Sequence, residues 1–149
     1  DIVIGSDHGG FDLKEILKKF LEEQGHSVLD YGTYSRDSVD YPDIALLVAQ
    51  KVSEDKNILG ILIDGAGMGS AMAANKVPGI RAAACYDTYA ANNSREHNDA
   101  NILVLGSMIT GPGLAKEIVT TWLNAEFGGG RHARRVGKIM QIEEKYLKK

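Results

Sequence analysis

Five short apolar runs, at residues 2–5, 28–29, 58–63, 80–85 and 102–105, each closed by turn residues and followed by a helix-length pattern, constrain this chain most. Runs of that length bounded by turn residues are strand signals. Between them apolar residues recur at the helical period. Leu13, Ile16, Leu17, Phe20 and Leu21 form one stripe, and Gly25 stands where a left-handed C-terminal cap is wanted. Asp43, after Tyr41 and Pro42, is placed to cap a helix over residues 44–52. Gly111-Pro112-Gly113 breaks the chain before an amphipathic segment at 114–123. Strands that alternate with helices make a parallel sheet with right-handed crossovers and helices on both faces. The expected fold is α/β, a three-layer, doubly wound, five-stranded parallel sheet of the Rossmann-like or flavodoxin-like kind, in one domain over residues 1–149.

A last amphipathic segment, with apolar residues at 136, 139, 140 and 146, follows the run Gly128-Gly129-Gly130. It reads as a C-terminal helix over about residues 135–148. The glycines would let it leave its own domain and dock on a second copy, and the pattern fits equally a helix laid on its own sheet.

Composition then narrows the partners. A chain of 149 residues buries a core without staples. Its net charge of −3 supplies no broad positive field, so nucleic acid and anionic membranes are not expected partners and any anion must be caught locally. The single cysteine, Cys85, excludes an internal disulfide and fits a buried apolar position in a reducing compartment. No apolar run approaches the ~20 residues that span a bilayer. No basic stretch with a long apolar core precedes the first strand-like run, so a cytoplasmic location is expected.

Open parallel sheets bind ligands at the carboxyl ends of their strands. After the first run come Asp7 and His8 with Gly9 and Gly10, which read either as a carboxylate and imidazole turned to a ligand or as a helix cap beside a solvent-facing histidine. After the third comes Asp64-Gly65-Ala66-Gly67-Met68-Gly69-Ser70. Alternate glycines at a strand-to-helix turn expose backbone N–H groups to an oxyanion, and they equally make a tight connection. No Gly-Lys-Ser/Thr closes this loop, so it is not a nucleotide P-loop. A dinucleotide fingerprint is a nearer rival, because Gly65-x-Gly67 is followed by Asp87, but Ser70 replaces its third glycine. Arg131, His132, Arg134 and Arg135 suit recognition of a phosphate or form a solvated basic turn. His97 precedes the fifth run, which puts it near the wrong end of its own sheet. A functional His97 would serve a partner's site.

Taken together, Ser6-Asp7-His8, residues 38–43, the glycine loop running into residues 73–82, Glu96-His97-Asn98-Asp99-Ala100-Asn101 and Gly129-Gly130-Arg131-His132 resemble the ribose-5-phosphate isomerase B and galactose-6-phosphate isomerase family over nearly the whole chain. The resemblance implies a metal-free aldose–ketose isomerase of a small sugar phosphate with no cofactor. It also implies a homodimer, or a tetramer built from it, with sites shared between subunits. By position, His97 resembles the ring-opening histidine, and Asp7, His8, Tyr41 and Asn98 resemble sugar contacts. Arg131 and Arg135 resemble phosphate ligands, and the segment Gly65, Ala66, Gly67, Met68, Gly69 and Ser70 resembles the anion hole. Three positions depart from the family pattern: Asp64 replaces the catalytic cysteine, Ala66 a threonine, and Met108 an arginine. Members with a glutamate base place it where Ser70 stands. Galactose-6-phosphate isomerase pairs two related chains, and the one without the cysteine has aspartate at the position of Asp64.

Isomerisation needs a base that carries a proton from C2 to C1. Asp64 is the expected base, weaker at neutral pH than the thiol it replaces. The alternatives are a sugar-phosphate-binding or partner subunit that needs a second chain for turnover, and a small nucleotide-binding module.

Overall fold

The computed structural model describes residues 1–147; Lys148, the expected last residue of the C-terminal helix, and Lys149 lie outside the described residues. Five parallel strands, β1 (Ile2–Ser6), β2 (Val28–Asp30), β3 (Leu59–Asp64), β4 (Ala82–Ala84) and β5 (Ile102–Gly106), form one sheet in the order β2-β1-β3-β5-β4. The order departs from the flavodoxin arrangement only in its last pair. Burial follows that order: β5 is buried along its whole length, as an interior strand is, whereas the three alanines of β4 are half-buried at the edge.

The strand residues alternate between two cores, as a two-residue period requires. Ile2, Ile4, Ile61, Ile63, Leu103 and Leu105 point to the layer that holds Leu17 of α1 (Phe11–Glu23), Ala91 of α4 (Thr88–Glu96) and Trp122 of α5 (Pro112–Asn124). Val3, Leu62, Ile102 and Val104 point the other way, to Val48 of α2 (Tyr41–Glu54) and Ala74 of α3 (Gly69–Ala74). Gly25 closes α1 as expected, with φ 93° and the paired bonds from Gly25 N–H to Glu22 and from His26 N–H to Leu21 that mark a Schellman end.

Three helix starts differ from the sequence reading, and the smallest shift is in α5, which begins at Pro112 with Gly111 at its N-cap and not at 114. α2 starts at Tyr41, not 44, and its N-cap is Asp40; Pro42 fits the first turn, so Asp43 becomes a first-turn acid and not the cap. The last helix, α6 (Arg131–Tyr146), starts four residues earlier than 135, so the arginine run is helical and not an open turn. Among the described residues of α6 only Val136 is buried, and Ile139, Ile142 and Tyr146 are exposed, so α6 is no part of either core. It touches its own chain at the edge, where Glu143 accepts from Gly79 N–H and Met140 meets Arg81.

Candidate functional site

The turns after β1, β3 and β5 are laced together at the carboxyl end of the sheet. Asp64, the last residue of β3, is buried, and its carboxylate accepts from the N–H groups of Gly67 and, at 2.9 Å, Ser70. The side chain therefore holds its own glycine loop in shape. The N–H groups of Gly65, Ala66, Met68 and Gly69 have no partner in the described chain, and they remain as donors for an oxyanion. Gly67 has φ 77°, a conformation that favours glycine, and a Cβ there would press on the backbone of β5. The Tyr41 ring lies against Gly69, where a side chain would collide with it.

Neighbouring turns close this frame. Met108 N–H donates to Gly65 at 2.9 Å, Ser107 Oγ donates to the carbonyl of Gly9 at 2.7 Å, and Tyr86 Oη donates to the carbonyl of Ala66 at 2.5 Å. Burial and the negative charge of Asp64 push the Tyr86 hydroxyl above its ordinary range, which keeps it a donor at neutral pH. Asp7 caps the short helical turn of His8–Gly10 through the N–H of Gly10 at 3.0 Å. His8 accepts from Val39 N–H at its Nδ1, 3.2 Å away, which leaves Nε2 as the ring's donor. Asp7, His8, Tyr41, Asp64 and residues 65–70 thus belong to one carboxyl-end frame.

That frame rests on an ion pair under α1. Lys14 is fully buried, and its ammonium meets Asp30 Oδ2 at 2.5 Å, with Lys18 at 3.4 Å. Asp30 Oδ1 accepts from Gly32 N–H, and Gly32 and Thr33 bond in turn to Ser6, one residue before Asp7. Burial works against ionised Asp30, but the Lys14 and Gly32 bonds and the two lysine charges outweigh it and hold the carboxyl below its ordinary range.

His97, Asn98, Arg131 and Arg135 form a second cluster. His97 caps the far end of α4, where the nearby Asn101 accepts from Gly60 N–H at the beginning of β3. From there to Asp64 is four residues of strand, about 13 Å. His97 stacks on His132 with centroids 4.0 Å apart, faces Glu96 through Nε2 at 3.2 Å, and meets Asn93 through Nδ1. Asn98 bonds to the same Asn93. Arg131 and Arg135 are exposed and have no carboxylate partner among the described residues. Burial, His97 and the arginines lower the His132 imidazole below its ordinary value.

Sequence reasoning did not single out Tyr86, Ser107, Lys14 or Asn93. Tyr86 and Ser107 stand just after strands, the one signal that could have found them. Asp87, the acid of the rival dinucleotide motif, is the N-cap of α4, accepting from Ala90 N–H at 2.7 Å. Cys85 is buried, and burial pushes its thiol up, which disfavours a thiolate there.

Residues 2–139 match the family described as Ribose/Galactose Isomerase. The ribose-5-phosphate isomerase B of Escherichia coli is 47% identical over 97% of this chain and 97% of its own length. The D-erythrulose-4-phosphate isomerase of Pectobacterium atrosepticum is 43% identical over 95% of this chain and 94% of its own length. A solved ribose-5-phosphate isomerase B from Clostridium thermocellum superposes with a TM-score of 0.96 at 57% identity, covering 98% of this chain and 99% of that one.

Proposed function

Because the chain belongs to the ribose/galactose isomerase family, and is a sugar phosphate isomerase of the ribose-5-phosphate isomerase B type, we propose that Asp64 is its proton-transfer base and that each site is completed by a second copy. The proposed reaction interconverts ribose 5-phosphate and ribulose 5-phosphate or a related sugar phosphate, such as the four-carbon ester named for the Pectobacterium relative. His97 of the second copy opens the sugar ring. Asp64 then takes the proton from C2 and returns it to C1, while the C2 hydroxyl proton passes to O1; no atom leaves. The free N–H groups of Gly65, Ala66, Met68 and Gly69 hold the enediolate oxygen, Asp7, His8, Tyr41 and Asn98 orient the chain of hydroxyls, and Arg131 with Arg135 holds the phosphate.

The observation that carries the reading is the separation of the two clusters. Asp64 lies at the carboxyl end of β3 and His97 near the amino end of the sheet, so one substrate reaches both only if they come from different chains. A cavity of about 1010 Å³ between the β4 edge and α6, lined by Ala84, Tyr89, Asn98, Ile139 and Tyr146, offers an apolar face to such a copy. A homodimer, or a tetramer built from it, is the proposed assembly. Its test is complementation: inactive His97→Ala chains mixed with inactive Asp64→Asn chains should recover activity, since one of the two hybrid sites carries both wild-type groups. No recovery after verified subunit exchange, or a monomer throughout, refutes sharing.

A second reading has its own support. Both oxygens of Asp64 already accept loop N–H groups, which suits a structural role in a sugar-phosphate-binding subunit whose turnover needs a related chain. Turnover by the purified chain alone, against four-, five- and six-carbon sugar phosphates, separates the two.

A further inference from the structure

At the amino end of the sheet a cavity of about 490 Å³ opens between the end of α2, the start of β3 and the turn from α4 to β5. Lys56, Arg81, Arg95 and Asp99 line it, so three cations face one carboxylate. Arg81 and Arg95 share that carboxylate at 3.4 and 4.0 Å. Both guanidiniums are largely buried, with 21% and 16% of their side chains exposed. Lys56 is exposed and has no carboxylate partner among the described residues. Arg95 lies over the Trp122 ring and spends one nitrogen on the carbonyl of Ala100, while its buried Nε has no acceptor among the described residues. A buried guanidinium N–H without an acceptor is costly, and two guanidiniums around one carboxylate are under-neutralised. The nearby Glu143 does not change this, because its carboxylate is taken by Gly79 N–H and it lines the larger cavity by α6.

We infer that this cavity is a second anion site, in which Arg81, Arg95 and Lys56 hold a compact dianion, a phosphate or phosphate monoester. Arg131 and Arg135 do not line it. The bound anion competes with Asp99 for the two guanidiniums. Asp99 has φ 50° in the turn that carries His97 and Asn98, so occupancy of the cavity is felt at His97.

The test is an amide-resolved NMR titration of the full chain with inorganic phosphate and with methyl phosphate, repeated in the Arg131→Ala, Arg135→Ala double variant. Saturable shifts at Lys56, Gly79, Arg81, Asp99 and Asn101 are expected with and without those two substitutions, and the tighter of the two ligands tells free ion from ester. Lys56→Glu, a surface change that leaves folding intact, should weaken this binding at least fivefold, and Arg95→Lys should weaken it while keeping the charge. Loss of these shifts in the double variant, or unchanged affinity in both Lys56→Glu and Arg95→Lys, overturns the inference. Failure of the substrate-phosphate assignment reads out separately, as loop shifts at residues 65–70 that persist unchanged in the double variant.

Discussion

The glycine loop after β3 and the histidine cluster at the end of α4 are both rich in polar groups, yet they are wired in opposite ways. At the loop, Asp64 is 5% exposed and every oxygen it has is engaged by its own backbone. At the cluster, His97 leaves 39% of its side chain exposed, rests on another histidine, and has exposed arginines beyond it. A buried, saturated site is rigid before substrate arrives; an exposed one with unpaired cations is unfinished without an anion or another chain. On the proposed reading, this contrast assigns proton transfer to a frame held within one chain and phosphate capture to an exposed cluster that a second copy completes.

The largest effect that could break this contrast is at Asp64. Asp64→Asn should lower turnover by about a hundred- to ten-thousandfold, the usual range for a lost general base. Phosphate-ester affinity should change little, because the arginines lie in the other cluster. Full activity in this variant would remove Asp64 as the base. Asp64→Cys with Ala66→Thr sharpens the point: isomerase activity on ribose 5-phosphate should equal or exceed the parent's, but a thiol cannot accept both N–H groups, so denaturant titration should show a loss of about 1–3 kcal/mol.

Next in size is the ion pair beneath the loop side. Lys14→Met leaves Asp30 nearly buried with only Lys18 beside it and should cost about 3 kcal/mol, the lower end for a buried pair broken from one side. The same pair sets an acid limit. The Asp30 carboxyl is depressed below its unfolded value of 3.8, so its stabilisation is complete above that pH and is lost as pH falls through the folded value. Stability to denaturant, followed from pH 6 to pH 2, should therefore fall more steeply in the parent than in Lys14→Met; parallel curves would show that the pair is not responsible.

The exposed cluster should respond more gently. Arg131→Ala and Arg135→Ala are each expected to weaken binding of a phosphate ester about ten- to a hundredfold, measured by calorimetry, without loss of stability. The smallest effect is a titration shift. The His132 ring should titrate below its ordinary value of 6.5 by NMR, because burial, His97 and the two arginines disfavour its cation, and a bound phosphate should move it back up. An unperturbed His132, with or without phosphate, would mean that the arginines do not face it.

Much of the frame was legible in the residues. The five apolar runs and the stripe through Leu13, Ile16, Leu17, Phe20 and Leu21 are local periodicities that became the strands and the helix expected of them, although Ile16 is exposed and Phe20 only half-buried. The glycine loop, with Asp64 before it, was legible for the same reason, since it lies in one continuous stretch. Boundaries were less so: Asp40, not Asp43, holds the N-cap position of α2, because Asp-Tyr-Pro-Asp offers two acids, and in the helix that starts at Tyr41 the tyrosine ring packs on the distant Gly69.

By itself, then, the sequence determined the alternating elements, the family and the loop that carries Asp64, because all of these are written in neighbouring residues. Tertiary structure alone decided that β5 lies inside β4, that Tyr86 and Ser107 brace the loop, that Lys14 is buried against Asp30, and that His97 stacks on His132. These contacts join residues 16 to 98 positions apart. Nothing in the local pattern of a lysine or a tyrosine says which distant group will meet it; chain topology and the exclusion of water from the core do.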